Sequence, residues 1–212
     1  MTNSINKIIF VLLLLSISMK GWSQDFPSEY WHSGKLVLMD EDTLYGKIKY
    51  DLDNDLIQVE QNQVIKTYSA KKIFYFEIFD ETVDNYRHFY SLPYKVQPNY
   101  EVPLLFEVLF EGDLSLLCRE EIVTENVQSY NYNPYYYSPN YGNTRTKLKY
   151  NYYFLNKNGD ITLYSLKKGD LLVFFKGKEQ AVNKYMKKNN LRHDRMRDLV
   201  RITAYYNALL GS

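Results

Sequence analysis

Leu104-Leu105-Phe106-Glu107-Val108-Leu109-Phe110-Glu111, then Gly112-Asp113, then Leu114-Ser115-Leu116-Leu117-Cys118, is the stretch whose reading decides the fold. Leu104, Phe106, Val108 and Phe110 fall on one side of a period of two, and Leu105, Glu107, Leu109 and Glu111 on the other. That alternation describes a half-buried antiparallel strand. Glycine followed by aspartate supplies the turn, so the stretch predicts a hairpin.

The same period extends in both directions. Leu44, Gly46, Ile48 and Tyr50 oppose Tyr45, Lys47 and Lys49, and further turns stand at Asp40-Glu41-Asp42, Asp53-Asn54-Asp55 and Asn158-Gly159-Asp160. Strands are expected near 34–39, 43–50, 56–61, 63–69, 73–79, 85–91, 104–111, 114–124, 147–155 and 160–166. After Lys167 the spacing becomes helical, in Val182, Tyr185, Met186 and Asn189, and again in Leu199, Val200, Thr203, Tyr206 and Leu210. Gly177 and Asn189-Asn190 mark helix stops. The fold class expected is α+β. It comprises an antiparallel β-rich body, a small barrel or sandwich in one unit or two subdomains, followed by a C-terminal helical pair with room for a third helix.

The start of the chain predicts its compartment. Lys7 leads into the apolar run Ile8–Ile17 and then a polar segment ending Gly21-Trp22-Ser23-Gln24, the pattern of a secretory signal peptide cleaved after Ser23. About ten apolar residues are too few for a membrane span, which needs roughly twenty. Residues 1–23 are therefore expected to be a leader, 24–166 a β-rich domain with a tyrosine-rich loop at 130–146, and 167–212 a helical segment packed on it. The remaining 189 residues would be exported to the periplasm or cell surface. Cys118 is the single cysteine and sits in an apolar run. A buried thiol is expected there, with no internal disulfide and no lipid anchor.

Gly46-x-Ile48-x-Tyr50-Asp51, Tyr68-Ser69-Ala70-x-Lys72-Ile73, Phe89-Tyr90-Ser91-Leu92-Pro93, Phe106-Glu107-Val108-Leu109-x-Glu111-Gly112 and Tyr205-Tyr206-Asn207 together give the chain a resemblance. It resembles an uncharacterised family of secreted proteins of Bacteroidota. The resemblance implies an envelope or surface setting and carries over no catalytic residue.

Motifs for chemistry fail one by one. Gly112-Asp113-Leu114-Ser115 has its serine one residue out of place for a Gly-Asp-Ser esterase block, and neither Gly-x-Ser-x-Gly nor His-Glu-x-x-His occurs. Asp51, Asp53 and Asp55 alternate like the first ligands of a calcium loop, but Leu56 stands where the turn glycine belongs and Asn62 where the closing glutamate belongs. His32, His88 and His193 are isolated in sequence. The strand and turn at Gly46–Asn54 resemble Sm-type RNA-binding barrels only loosely, each key spacing being a residue short. No cofactor, metal or nucleic-acid partner is expected.

Two features point to binding. In Tyr130–Tyr153, nine of twenty-four residues are tyrosine, mixed with Asn, Pro, Ser and Gly, a composition that provides broad contact area at low entropic cost. Tyr130, Tyr132, Tyr135, Tyr136, Tyr137 and Tyr141 are the candidate contact residues for a protein or glycan partner. The second feature is charge segregation: residues 25–129 carry 20 acidic and 9 basic side chains, whereas 167–201 carry 11 basic and 4 acidic. Attraction between the two is expected to help the helices dock on the sheet. The function expected is a non-enzymatic binding or scaffolding module. The alternatives are a hydrolase drawing a carboxylate pair from Glu101, Glu107 and Glu111, and a purely structural envelope protein.

Overall fold

The computed structural model describes residues 26–127 and 143–211. Ten strands form one wholly antiparallel sheet: β1 (His32–Leu38), β2 (Thr43–Asp51), β3 (Leu56–Gln61), β4 (Val64–Ser69), β5 (Ile73–Asp80), β6 (Asn85–Gln97), β7 (Tyr100–Phe110), β8 (Leu114–Val127), β9 (Asn143–Asn156) and β10 (Ile161–Leu163). Their order is β10-β9-β8-β7-β6-β5-β1-β2-β3-β4. Three helices follow: α1 (Lys168–Val173), α2 (Glu179–Lys188) and α3 (Met196–Leu210). The antiparallel β-rich body with C-terminal helices is thus the observed class, and its body is a single open sheet.

Each expected turn has a local cause. Glu41, Asp55 and Gly159 take left-handed backbone angles in the three acidic or Asn-Gly turns, and Gly177 and Asn190 do so after α1 and α2. Strand lengths differ from expectation where side chains alone mislead. β6 and β7 run on past Pro93 and Pro103, which face each other in register. Two opposed residues that both lack an N–H fit a pair whose polar groups point outward. β10 stops at Leu163 because Leu166, at φ 62°, turns the chain toward α1.

Alternation carries one inner face across the sheet, through Ile57, Tyr50, Ile48, Leu36, Phe76, Phe89, Leu105, Cys118, Leu116 and Phe154. Two cores lie on that face. The first packs Leu36, Ile48, Tyr50, Ile57, Phe76, Ile78, Phe89 and Leu105, strand against strand. The sheet coils sharply there. Gly34 pairs with Gly46, and a Cβ on either would lie 2.1 Å from the Glu77 carbonyl oxygen or 2.3 Å from that of Glu60. Only glycine leaves the backbones room for this approach.

The second core covers β8 and β9 with the helices. Leu116, Cys118, Tyr152 and Phe154 meet Leu171 and Phe175, then Val182 and Met186 of α2 and Leu199, Ile202 and Tyr206 of α3. The apolar stripes read from the sequence are the docking faces. Charge is not the glue: the ion pair of residues 167–201 among the described residues is Arg192–Asp194, within the segment, and none joins it to the acidic body. Exposed lysines and arginines gain too little from distant carboxylates to be drawn into pairs.

Candidate functional site

Between the two cores lies a buried ionic cluster. Arg87 on β6 donates from Nε and Nη2 to both oxygens of Glu107 on β7, at 2.9 and 2.7 Å. Its Nη2 also reaches Glu120 of β8 at 2.6 Å, and its Nη1 reaches Asp80 of β5 at 3.1 Å and the Tyr50 hydroxyl at 2.9 Å. Tyr50 then donates to the other Glu120 oxygen at 2.8 Å. The guanidinium therefore ties four strands of the sheet and the Tyr50 of a fifth.

Three carboxylates face one cation, and the titration of each group follows. Burial alone would strip charge from Arg87, but Glu107, then Tyr50 and Glu120, more than reverse this and keep it protonated. Burial pushes the Glu120 carboxyl above its usual range against the pull of Arg87 and Tyr50. Burial acts on Asp80 in the same direction, yet hydrogen bonds from Thr82 and Arg87 outweigh it and hold that carboxyl low. Cys118 is buried nearby, and burial pushes its thiol up, as do Glu107 and Glu120. A thiol so placed has little nucleophilic thiolate.

A second polar lock sits where β7 and β8 part. They pair only from Glu107–Cys118 to Phe110–Leu116. Beyond that, the Leu105 N–H donates to Asp55 Oδ1 at 2.7 Å and the Leu105 carbonyl accepts from Arg119 Nη1 at 2.7 Å. Arg119 also binds Asp55 and the Leu52 carbonyl. Two side chains thus stand in for the missing strand, holding the β2–β3 turn in the fork.

The carboxylates and other residues of the catalytic alternative stand in different surroundings. Glu107 is 7% exposed and bonded through both oxygens to Arg87, whereas Glu101 and Glu111 are exposed. The bulge between Val108 and Phe110 breaks the strict alternation that placed Glu107 and Glu111 together. Ser115 exchanges hydrogen bonds with the Gly112 backbone at 3.0 and 3.1 Å, as a turn residue does. The histidines are separately occupied: His32 by the Pro27 carbonyl at 2.7 Å, His88 by Glu77 at 3.1 Å and His193 by Tyr164 at 3.3 Å. Asp51 caps Asn54 while Asp55 faces Arg119, so the alternating aspartates diverge. Among the described residues no group of three His, Cys, Asp or Glu could hold a metal.

One open groove, of about 650 Å³, lies between the β9–β10 turn, β10, α1 and the end of α3. Leu114, Leu163, Val173, Phe174, Tyr206 and Leu210 line it. Leu163, Val173 and Leu210 remain 51%, 65% and 39% exposed, while Phe174 packs tilted against Phe154 with ring centres 4.4 Å apart. The rim carries both signs of charge. Lys157 pairs with Asp113 at 2.7 Å and Asp170 takes the Ser165 hydroxyl, while Lys176, Asn158 and Thr162 stand beside them. The groove's volume lies within the range of roughly 300–1,000 Å³ common to small-molecule pockets. Neither core nor rim signalled this in the sequence, because Leu163, Val173 and Leu210 come from three elements.

No family model, curated protein or solved structure matches this chain.

The tyrosine candidates Tyr130, Tyr132, Tyr135, Tyr136, Tyr137 and Tyr141 lie outside the described residues, as does the leader at 1–23. The strands leading into the tyrosine-rich segment pair as far as Val127–Asn143, several residues beyond the expected ends at 124 and 147. Cross-strand pairs of Glu125 with Lys147 and Glu121 with Lys149 extend them. No helix among the described residues is long and apolar enough to cross a membrane.

Proposed function

We propose that the protein is an exported, non-catalytic binding module whose groove takes an apolar side chain presented by a peptide segment of a partner. One observation carries the reading: exposed Leu163, Val173 and Leu210 converge on a cleft whose rim offers both charge signs, an amide and a hydroxyl. A peptide supplies both halves, an apolar anchor and a backbone of donors and acceptors, whereas a fatty acid or a phosphate ester would call for a rim of one sign. The tyrosine-rich segment is assigned to the same function as a second contact area, on composition. The leader and the resemblance to secreted Bacteroidota proteins support an envelope setting.

Selection from a random displayed peptide library tests the reading. Enriched peptides should share an aliphatic or aromatic anchor, and Val173→Glu, at an exposed position, should weaken the best of them about tenfold or more by fluorescence anisotropy, the scale of losing one buried anchor. Unaltered binding to the Val173→Glu variant removes the groove from the function. Deleting residues 132–141 separates the contribution assigned to the tyrosines: weaker binding with melting shifted by less than about 5 °C supports it, and a larger shift assigns them to the core.

A further inference from the structure

We infer that the outer faces of α2 and α3 form a cationic surface that docks on a membrane bearing anionic phosphate headgroups. Lys184, Lys187, Lys188, Arg195, Arg197 and Arg201 are all exposed. Their helices bury the opposite sides, through Val182 and Met186 and through Leu199, Ile202, Thr203 and Tyr206.

None of the six has an ion-pair partner among the described residues. Some lysines of the sheet and its turns are paired. Lys35, Lys95, Lys147, Lys149 and Lys157 each meet a carboxylate. The four carboxylates of residues 167–201 are bonded locally: Asp170 by the Ser165 hydroxyl, Glu179 by the Gly177 N–H, Asp194 by Arg192, and Asp198 by the Arg192 N–H. With 11 basic against 4 acidic side chains in residues 167–201, positive charge is in excess on the helical side, whereas unpaired lysines elsewhere, such as Lys66, Lys71 and Lys72, stand in a region of 20 acidic against 9 basic side chains.

Helix energetics does not account for it. Lys187 and Lys188 suit the last turn of α2, but Arg195 at the N-cap of α3 and Arg197 in its first turn oppose the positive end of the helix dipole. The placement costs the helix little at an exposed site, so it is tolerated there without being favoured.

The chemistry favours a lipid surface over a nucleic acid. The six side chains are charges without an exposed ring between them, because Tyr185 and Tyr205 stack on each other at 3.9 Å between the helices. Single strands are held by stacking as well as by charge, whereas a phosphate-rich membrane needs only a basic face. The expected leader would bring the chain to such a surface.

Co-sedimentation of the full chain with vesicles of equal parts phosphatidylglycerol and phosphatidylcholine tests this, with pure phosphatidylcholine vesicles as reference for uptake through apolar residues. Binding in excess of that reference is expected at about 0.1 M salt and should vanish at about 0.5 M. Changing Lys184, Arg197 and Arg201 to Glu should lower it about tenfold or more. The same change at Lys66, Lys71 and Lys72, exposed on the other half of the molecule, alters net charge equally and should leave it within about twofold. Melting temperatures of both variants confirm folding. The inference is overturned by equal uptake on the two vesicle types, by equal loss in the two variants, or by a single-stranded oligonucleotide that strips the protein from vesicles.

Discussion

Around β1–β6 the sheet covers its own inner face by coiling until Tyr50 of β2 reaches Glu120 of β8, whereas over β8 and β9 the same face is covered by α1–α3. The first cover is attached through backbone ladders and made possible by the Gly34–Gly46 pair. The second is attached by side chains: an apolar layer, and Asn207 of α3, whose amide donates to the Leu114 carbonyl at 2.9 Å and accepts the Leu114 N–H at 3.0 Å. Identical alternation along the strands thus ends in two kinds of closure. The difference teaches that a strand pattern specifies a face to be buried without specifying its cover. Where the two covers meet, the sheet carries charge in place of hydrocarbon.

Removing the second cover should give the largest effect. A chain ending at Leu166 leaves Leu116, Cys118, Tyr152 and Phe154 open to water, and should aggregate or lose cooperative unfolding in urea. A soluble fragment with a sharp transition would show that the coiled half is stable by itself and would sharpen the contrast into two independent units.

Next comes the junction. Arg87→Met leaves Asp80, Glu107 and Glu120 buried without their cation and should cost about 3–5 kcal/mol in urea unfolding. Adding Glu107→Leu and Glu120→Leu should restore much of that loss, since a packed apolar replacement removes the unpaired charges. A cost below about 1 kcal/mol for Arg87→Met would mean that the two cores do not depend on the cluster.

The smallest effect is on pH. Glu120 has its folded pKa raised above the ordinary 4.5, so between that value and the raised one the folded state holds a proton that the unfolded chain releases. Its contribution to stability is present at low pH and is lost as pH rises through that window. Asp80 has the opposite sign: its folded pKa is lowered from 3.8, and its contribution fades as pH falls below that value. Melting temperature should therefore rise as neutral solution is acidified toward pH 4.5 and decline on further acidification. Glu120→Gln, which keeps an acceptor for Tyr50, should flatten the first limb and leave the second. An unchanged first limb would assign that slope to other groups.

The strands and helices were legible because Leu44–Tyr50 and Leu104–Phe110 keep a period of two, whereas Val182–Met186 and Leu199–Leu210 keep a helical one. The burial of Glu107 was not legible. Both sides of β7 are apolar enough to be the inner one, and its partner Arg87 lies 20 residues away on another strand. The groove was illegible for a related reason: exposed leucine and valine are ordinary singly and become a site only when three elements bring them together. Charge misled in the other direction. The excess of basic residues in 167–201 and of acidic ones in 25–129 suggested attachment, but the helices dock through hydrocarbon and leave the basic side chains in water.

Asn207 also bears on timing. Its bonds to Leu114 join residues 93 apart in sequence, and the turn it clamps leads from β7 into the strand on which the helices rest. During synthesis β7 and β8 emerge long before α3, so the helix-covered core cannot close until α3 is available. Contacts at such separation slow folding and prolong the interval in which apolar strands stay open. A chain built this way keeps the inner face of β8 and β9 uncovered until α3 has been made, so that its folding is set by one late contact between side chains and not by the strand ladders that precede it.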